Sequence, residues 1–247
     1  METAIKAAFD GMDAGYRVPN PPVLTATIND FISKFCPGQV GVGTGYVFSL
    51  NQDLLPERIY GTVVNRQKLE LPGITWVSPP PLFPAGGNPI PLAALADPAV
   101  TEPEPLRRFN YIKLHGSINW RSSDGASLMV MGRRKPLTIA RWPLIDWYHR
   151  VFEQVLFSGG VRLMVVGYGW GDEHINDPIA EAVRNHGLKI YSWDHRQPRE
   201  MLADARRGSD ILPGIMGFST RSMTEVMPNN PTNPGSAYYD GIVGDFF

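Results

Sequence analysis

One cysteine, Cys36, stands in a chain of 247 residues. A single thiol cannot close an intrachain disulfide. It also excludes every zinc site that needs two or four cysteine ligands. Charge of one sign is equally scarce: 23 basic residues face 24 acidic ones, for a net charge of −1. A protein built to lie along nucleic-acid phosphates carries a basic excess, so nucleic acid is not an expected partner, although Arg133-Arg134-Lys135 is a local basic patch. No apolar run approaches the ~20 residues that span a bilayer, which argues against a membrane partner. Met1-Glu-Thr-Ala-Ile-Lys6 lacks the charged-then-apolar pattern of a secretory leader. With the lone cysteine, this predicts a reducing, cytoplasmic setting. There is no Gly-x-Ser-x-Gly elbow and no Gly-x-x-x-x-Gly-Lys phosphate loop, which disfavours a serine hydrolase and a P-loop NTPase.

Hydrophobic residues make up 43% of the chain, enough for a packed core. The length suits a single domain over 1–247. Proline is abundant and concentrated, with ten between Leu71 and Pro105. Such a stretch neither continues a helix nor sits in a central strand, so 71–105 is expected to be a proline-rich surface excursion. The Pro-, Gly- and Asn-rich residues 228–247 are expected to form an irregular tail. Its aromatics, Tyr238, Tyr239, Phe246 and Phe247, are expected to tuck back onto the chain.

Four short apolar runs read as strands: 46–50, 111–114, 161–166 and 188–192. The third, Val161-Arg-Leu-Met-Val-Val166, has the composition of a strand covered on both faces. Helical spacing marks 4–16, 23–35, 142–157 and 198–207. A further helix is expected from Pro178, capped by Asp177 and stopped at Gly187. Strands alternating with helices predict an α/β fold with a parallel sheet flanked by helices. In such a sheet the C-terminal strand ends open on one edge, where ligands bind.

Each of these strands ends in polar or glycine-rich residues: Asn51 and Asp53, His115 and Gly116, Gly167–Gly171, and Asp194. The pattern therefore predicts that the clusters meet in one crevice. A histidine at a strand end is placed for general-base work, or is a hydrogen-bonded structural residue. An amide and a carboxylate two apart, Asn51 and Asp53, can orient a polar substrate and hold a ribose hydroxyl, or simply bond the backbone of a turn. Glycines 167, 169 and 171 allow a ligand to approach the backbone closely, or form a tight turn that packs Trp170. Asp172, Glu173, His174 and Asp177 lack metal-site spacing, and no metal is expected. His149 and His186 read as surface or packing residues.

In combination, Phe48-Ser-Leu-Asn-Gln-Asp-Leu-Leu55, Tyr111-Ile-Lys-Leu-His-Gly-Ser117 and Val165-Val-Gly-Tyr-Gly-Trp-Gly-Asp172 resemble the sirtuin family over roughly residues 45–195. More narrowly, they resemble its bacterial NAD-consuming branch in anti-phage defence. The resemblance implies a Rossmann-like domain whose substrate is NAD. His115 would be the catalytic base, and Asn51 and Asp53 would contact nicotinamide and its ribose. Gly116, Ser117, Gly167, Tyr168 and Gly169 would bind the dinucleotide, with Ser192 or Asp194 near the adenine ribose.

Two departures accompany the resemblance. The four-cysteine zinc module of the deacylases cannot be built here, which favours hydrolysis of NAD to nicotinamide and ADP-ribose without zinc. The family's strand and Gly-Ala-Gly diphosphate loop have no counterpart upstream of Tyr46, and Asp13-Ala-Gly15 follows no strand. A non-catalytic NAD or ADP-ribose sensor or scaffold subunit therefore stays open, as does an NAD-dependent deacylase. A homo-oligomer, or a partner subunit of a larger assembly, is expected.

Overall fold

A computed structural model describes residues 7, 30–32, 34–35, 45–54, 71–76, 94–96, 109–122, 125–132, 134–227 and 237–246. The chain divides into two compact units, Met1–His149 and Arg150–Phe247. The fold is mixed α/β, with parallel strands and flanking helices. None of the described helices is long and apolar enough to cross a membrane.

In the first unit, β1 (Gly45–Ser49) and β4 (Phe109–Lys113) pair in parallel, from Gly45 opposite Phe109 to Ser49 opposite Lys113. β4 is buried along its whole length. Phe109 packs among Ile32, Phe35 and Val47. Residues 30–32 and 34 are helical; the rest of the expected helices 4–16 and 23–35 lies outside the described residues, apart from Ala7.

A second sheet follows the order β2 (Ile74–Trp76), β3 (Ala94–Ala96), β5 (Gly116–Arg121) and β6 (Ser127–Met129). Two of its strands fall inside the 71–105 excursion, the rest of which lies outside the described residues. Helix Pro143–Phe157 matches the expected 142–157 but for its first residue, Trp142, which caps the preceding helix. Leu144, Ile145, Tyr148, Val151, Phe152 and Leu156 are buried at helical spacing. The boundary between the two units falls within this helix.

The second unit carries a parallel sheet in the order β7 (Arg162–Val166), β8 (Lys189–Trp193), β9 (Ile215–Ser219). Helix Glu173–His186 links β7 to β8 and ends at Gly187, whose φ of 68° suits glycine. The central strand β8 buries Ile190, Ser192 and Trp193.

Several expectations are corrected. The strands form three sheets among the described residues, not one parallel sheet. β7 is not covered on both faces, since Arg162 and Val166 are exposed, and among the described residues it is an edge strand. The helix after it begins at Glu173, with Asp172 rather than Asp177 at the cap position and Pro178 inside. Ile175, Ile179 and Ala182 are buried on one face, and that burial draws the first turn into the helix despite the proline. The segment 198–207 is helical only over Pro198–Leu202.

The tail is not irregular throughout, because Ala237–Phe246 is a helix. Tyr239 and Phe246 are buried seven residues apart, which places them on one helical face. Phe246 meets the Tyr191 ring edge-on at 5.3 Å, and its carbonyl accepts from the Arg162 guanidinium at 2.8 Å. Tyr238 remains exposed under the Arg221 guanidinium, and Phe247 lies outside the described residues.

Candidate functional site

Parallel pairing of β1 with β4 brings both C-terminal ends to one edge. Asn51-Gln52-Asp53 leaves β1 there, and the Leu114-His115 turn leaves β4. The two segments are laced together by backbone hydrogen bonds. The Leu114 amide donates to the Ser49 carbonyl at 2.9 Å, and the Ile118 amide donates to the Gln52 carbonyl at 3.0 Å. Asn51, Asp53, His115, Gly116 and Ser117 are therefore brought to one edge of the first unit.

Their exposures differ. Asn51 is exposed, and its backbone amide donates to Ser49 Oγ at 3.1 Å. Asp53 is buried, as is His115 at 4% exposure. His115 is not in a strand-to-helix loop, as alternation implied; it lies in a two-residue turn between β4 and β5. Gly116 has φ +70°, and a Cβ placed there would lie 1.8 Å from the Leu128 carbonyl oxygen. Packing therefore demands glycine at this position. Ser117 is fully buried, and its Oγ donates to the Gln52 carbonyl at 3.4 Å.

Two further residues organise this edge without having been singled out in the sequence. The Gln52 amide nitrogen donates to the Val130 carbonyl at 2.8 Å and to the His115 carbonyl at 3.3 Å. Lys113 has no exposed surface. Its ammonium donates to the Asp53 carbonyl and, at 2.8 Å, to Ser117 Oγ. A lysine directly after Tyr111-Ile112 and before Leu114 in a strand-like run is the signal that marks it, since a buried ammonium requires partners. His149 is a packing residue, with Nε2 donating to the Leu114 carbonyl at 3.0 Å.

In the second unit, Gly167–Gly171 leaves the C-terminal end of β7, with the Gly167 amide donating to the Trp193 carbonyl at 2.9 Å. Cβ atoms built at Gly167, Gly169 or Gly171 would meet no atom of the described residues within 4 Å, so among these residues the glycines face open space. The residues between them hold the loop. Tyr168 Oη donates to Asn176 Oδ1 at 2.9 Å, and Asn176 Nδ2 donates to the Trp170 carbonyl at 2.8 Å. Trp170 is buried with φ 58°, a left-handed conformation that costs a non-glycine residue roughly 1–2 kcal/mol. Burial, with the Asp172 charge adding to it, pushes the Tyr168 phenol well above its ordinary range.

Asp194 follows β8 on the same edge of that sheet, its amide bonded to the Ser219 carbonyl at 3.1 Å. Its carboxylate accepts from the Arg196 amide and Nε, both at 2.9 Å. The Arg196 side chain holds the acid below the usual carboxylate range. Ser192 is turned inward, its Oγ donating to Met201 Sδ at 3.5 Å. Asp177 pairs with Arg206 instead of capping a helix. His186 stacks on Phe157 at 4.6 Å.

No protein family matches this chain, and no characterised protein matches its sequence.

Proposed function

We propose that this protein hydrolyses NAD at the nicotinamide–ribose bond. The observation that carries this reading is the parallel pairing of β1 with β4, which gathers an amide, a carboxylate and an imidazole at one strand-end edge. In the reaction, water adds to C1′ of the ribose as the bond to nicotinamide breaks through an oxocarbenium-like state. His115 takes the proton from that water, Asn51 orients the nicotinamide amide, and Asp53 steadies the ribose. Nicotinamide, ADP-ribose and one proton are released.

The second unit supports a Rossmann-like, nucleotide-binding reading in its own right. It has a strand, a glycine turn facing open space, a helix and a second strand ending in an acid, the order in which α/β units hold phosphate and ribose. The resemblance to the sirtuin-like defence branch suggests an anti-phage role for the activity.

Incubation with NAD, read out as nicotinamide and ADP-ribose, tests the proposal. The native chain should release both in equal amounts, and His115→Ala should slow release at least about 100-fold. Absence of release from the native chain overturns the hydrolase reading.

The low exposure of His115, 4%, favours a second reading, in which the chain binds NAD or ADP-ribose without turning it over. Calorimetric binding of ADP-ribose with no product formed from NAD is its signature.

A further inference from the structure

Lys113 has no place in the chemistry proposed above, yet it lies at the centre of the candidate edge. It is the last residue of β4 and stands opposite Ser49 of β1. Its ammonium is wholly removed from solvent. Burying an unpaired ammonium costs several kcal/mol, so such a group persists only where well-placed acceptors surround it.

The acceptors belong to different segments. They include the carbonyl of Asp53, which follows β1, and Oγ of Ser117, at the start of β5. Ser117 in turn donates to the Gln52 carbonyl, and the same carbonyl accepts from the Ile118 amide. The lysine thus closes a loop of hydrogen bonds that runs from one strand end to the other and encloses the backbone on both sides of His115.

From this geometry we infer that Lys113 is a positioning residue. Its buried ammonium fixes the Asn51–Asp53 segment against the Leu114-His115 turn and the start of β5, so that amide, carboxylate and imidazole keep one mutual geometry. The consequence for catalysis rests on the hydrolase reading; the staple itself does not. Lysine suits this role because its charge strengthens hydrogen bonds to neutral acceptors while its flexible stem crosses between the segments. Misplacing reacting groups by about an ångström costs on the order of 100-fold in rate, so a loosened edge lowers turnover more than binding.

Lys113→Met keeps an unbranched side chain, one atom shorter, and removes the donor nitrogen that bonds Asp53 and Ser117. Two measurements on the full chain test it. Steady-state nicotinamide release should show kcat reduced at least tenfold, with KM within twofold of native. Amide hydrogen exchange should be at least tenfold faster at Ile118, which is bonded across the two segments, and unchanged at Gly167 in the second unit.

Native kcat in Lys113→Met overturns the inference, as does unchanged exchange at Ile118. If the native chain releases no nicotinamide, the hydrolase reading fails. Faster Ile118 exchange in Lys113→Met then still supports the staple, and unchanged exchange still overturns it. If Lys113→Met does not fold, Ser117→Ala removes one acceptor at little change in volume. It should speed Ile118 exchange at least threefold with Gly167 unchanged, and exchange equal to native overturns the inference.

Discussion

Asn176 holds Tyr168 from below the glycine turn: the phenol donates to Oδ1 at 2.9 Å, while Nδ2 of the same amide donates to the Trp170 carbonyl at 2.8 Å. One buried side chain on the helix thereby fixes two residues of the loop that precedes it. Both Tyr168 and Trp170 are tied in this way to the helix that follows the loop.

Asn176→Ala should destabilise the protein by about 1–3 kcal/mol, because it leaves the carbonyl of the buried Trp170 without its side-chain donor, while the Tyr168 hydroxyl keeps the Asp172 carbonyl as an acceptor at 3.1 Å. Urea unfolding checks this. A loss below about 1 kcal/mol would mean that the loop does not depend on the amide.

Gly116→Ala and Gly167→Ala separate two reasons for glycine. At Gly116 the added methyl lies 1.8 Å from the Leu128 carbonyl oxygen, whereas at Gly167 it enters open space. The first substitution should cost more than about 4 kcal/mol or prevent folding. The second should cost only the left-handed backbone penalty, about 1–2 kcal/mol. Thermal unfolding of the pair gives the comparison, and equal losses would contradict it.

Asn51 is exposed, and the hydrogen bonds that shape its turn run through the backbone. Asn51→Ala should therefore change stability by no more than about 0.5 kcal/mol. If the amide orients nicotinamide, release from NAD should fall at least tenfold in the same variant. A stable variant with native turnover removes Asn51 from the proposed chemistry.

Arg196 holds the Asp194 carboxyl below its ordinary pKa. A folded-state pKa below the unfolded value of about 3.9 contributes stability that is fully present above that value. The contribution is lost as pH falls through the depressed folded value. Urea midpoints of native protein and Arg196→Ala should therefore differ at neutral pH and converge in strong acid. A difference independent of pH would show that the ion pair is not its source.

The strands carrying the candidate residues were legible because their runs are short, apolar and β-branched: Gly45–Ser49, Phe109–Lys113, Arg162–Val166 and Lys189–Trp193 lie within a residue or two of their expected bounds. Helix Pro143–Phe157 was legible from its apolar stripe. What local pattern does not encode is which strand pairs with which. β5, β6 and β9 were missed because Gly116–Arg121 mixes polar and apolar residues, Ser127–Met129 is very short, and Ile215–Ser219 is interrupted by Gly217. Pro178 looked like a helix start because proline favours the first turn, but burial of Ile175 outweighs that preference. The tail looked irregular because glycine and asparagine precede its helix, and only packing of Tyr239 and Phe246 reveals the element.

At the site, residue types at strand ends were readable, and their burial was not. Asn51 and His115 carry similar chemical promise in sequence, yet one faces solvent and the other is nearly enclosed. Lys113 and Gln52 passed as ordinary strand and turn residues, because their roles depend on carbonyls 60 to 78 positions away.

The partners β1 and β4 are separated by some sixty positions, whereas β7 and β8 are joined by fewer than thirty. Closing the longer loop costs only roughly 0.8 kcal/mol more entropy, but contacts between distant positions slow folding. The β7–β8 crossover can nucleate locally. The His115 edge must await a rare encounter between remote segments, which makes it the slow step of maturation. In a pulse-labelled refolding time course, the Leu114 and Ile118 amides should therefore gain protection after Gly167.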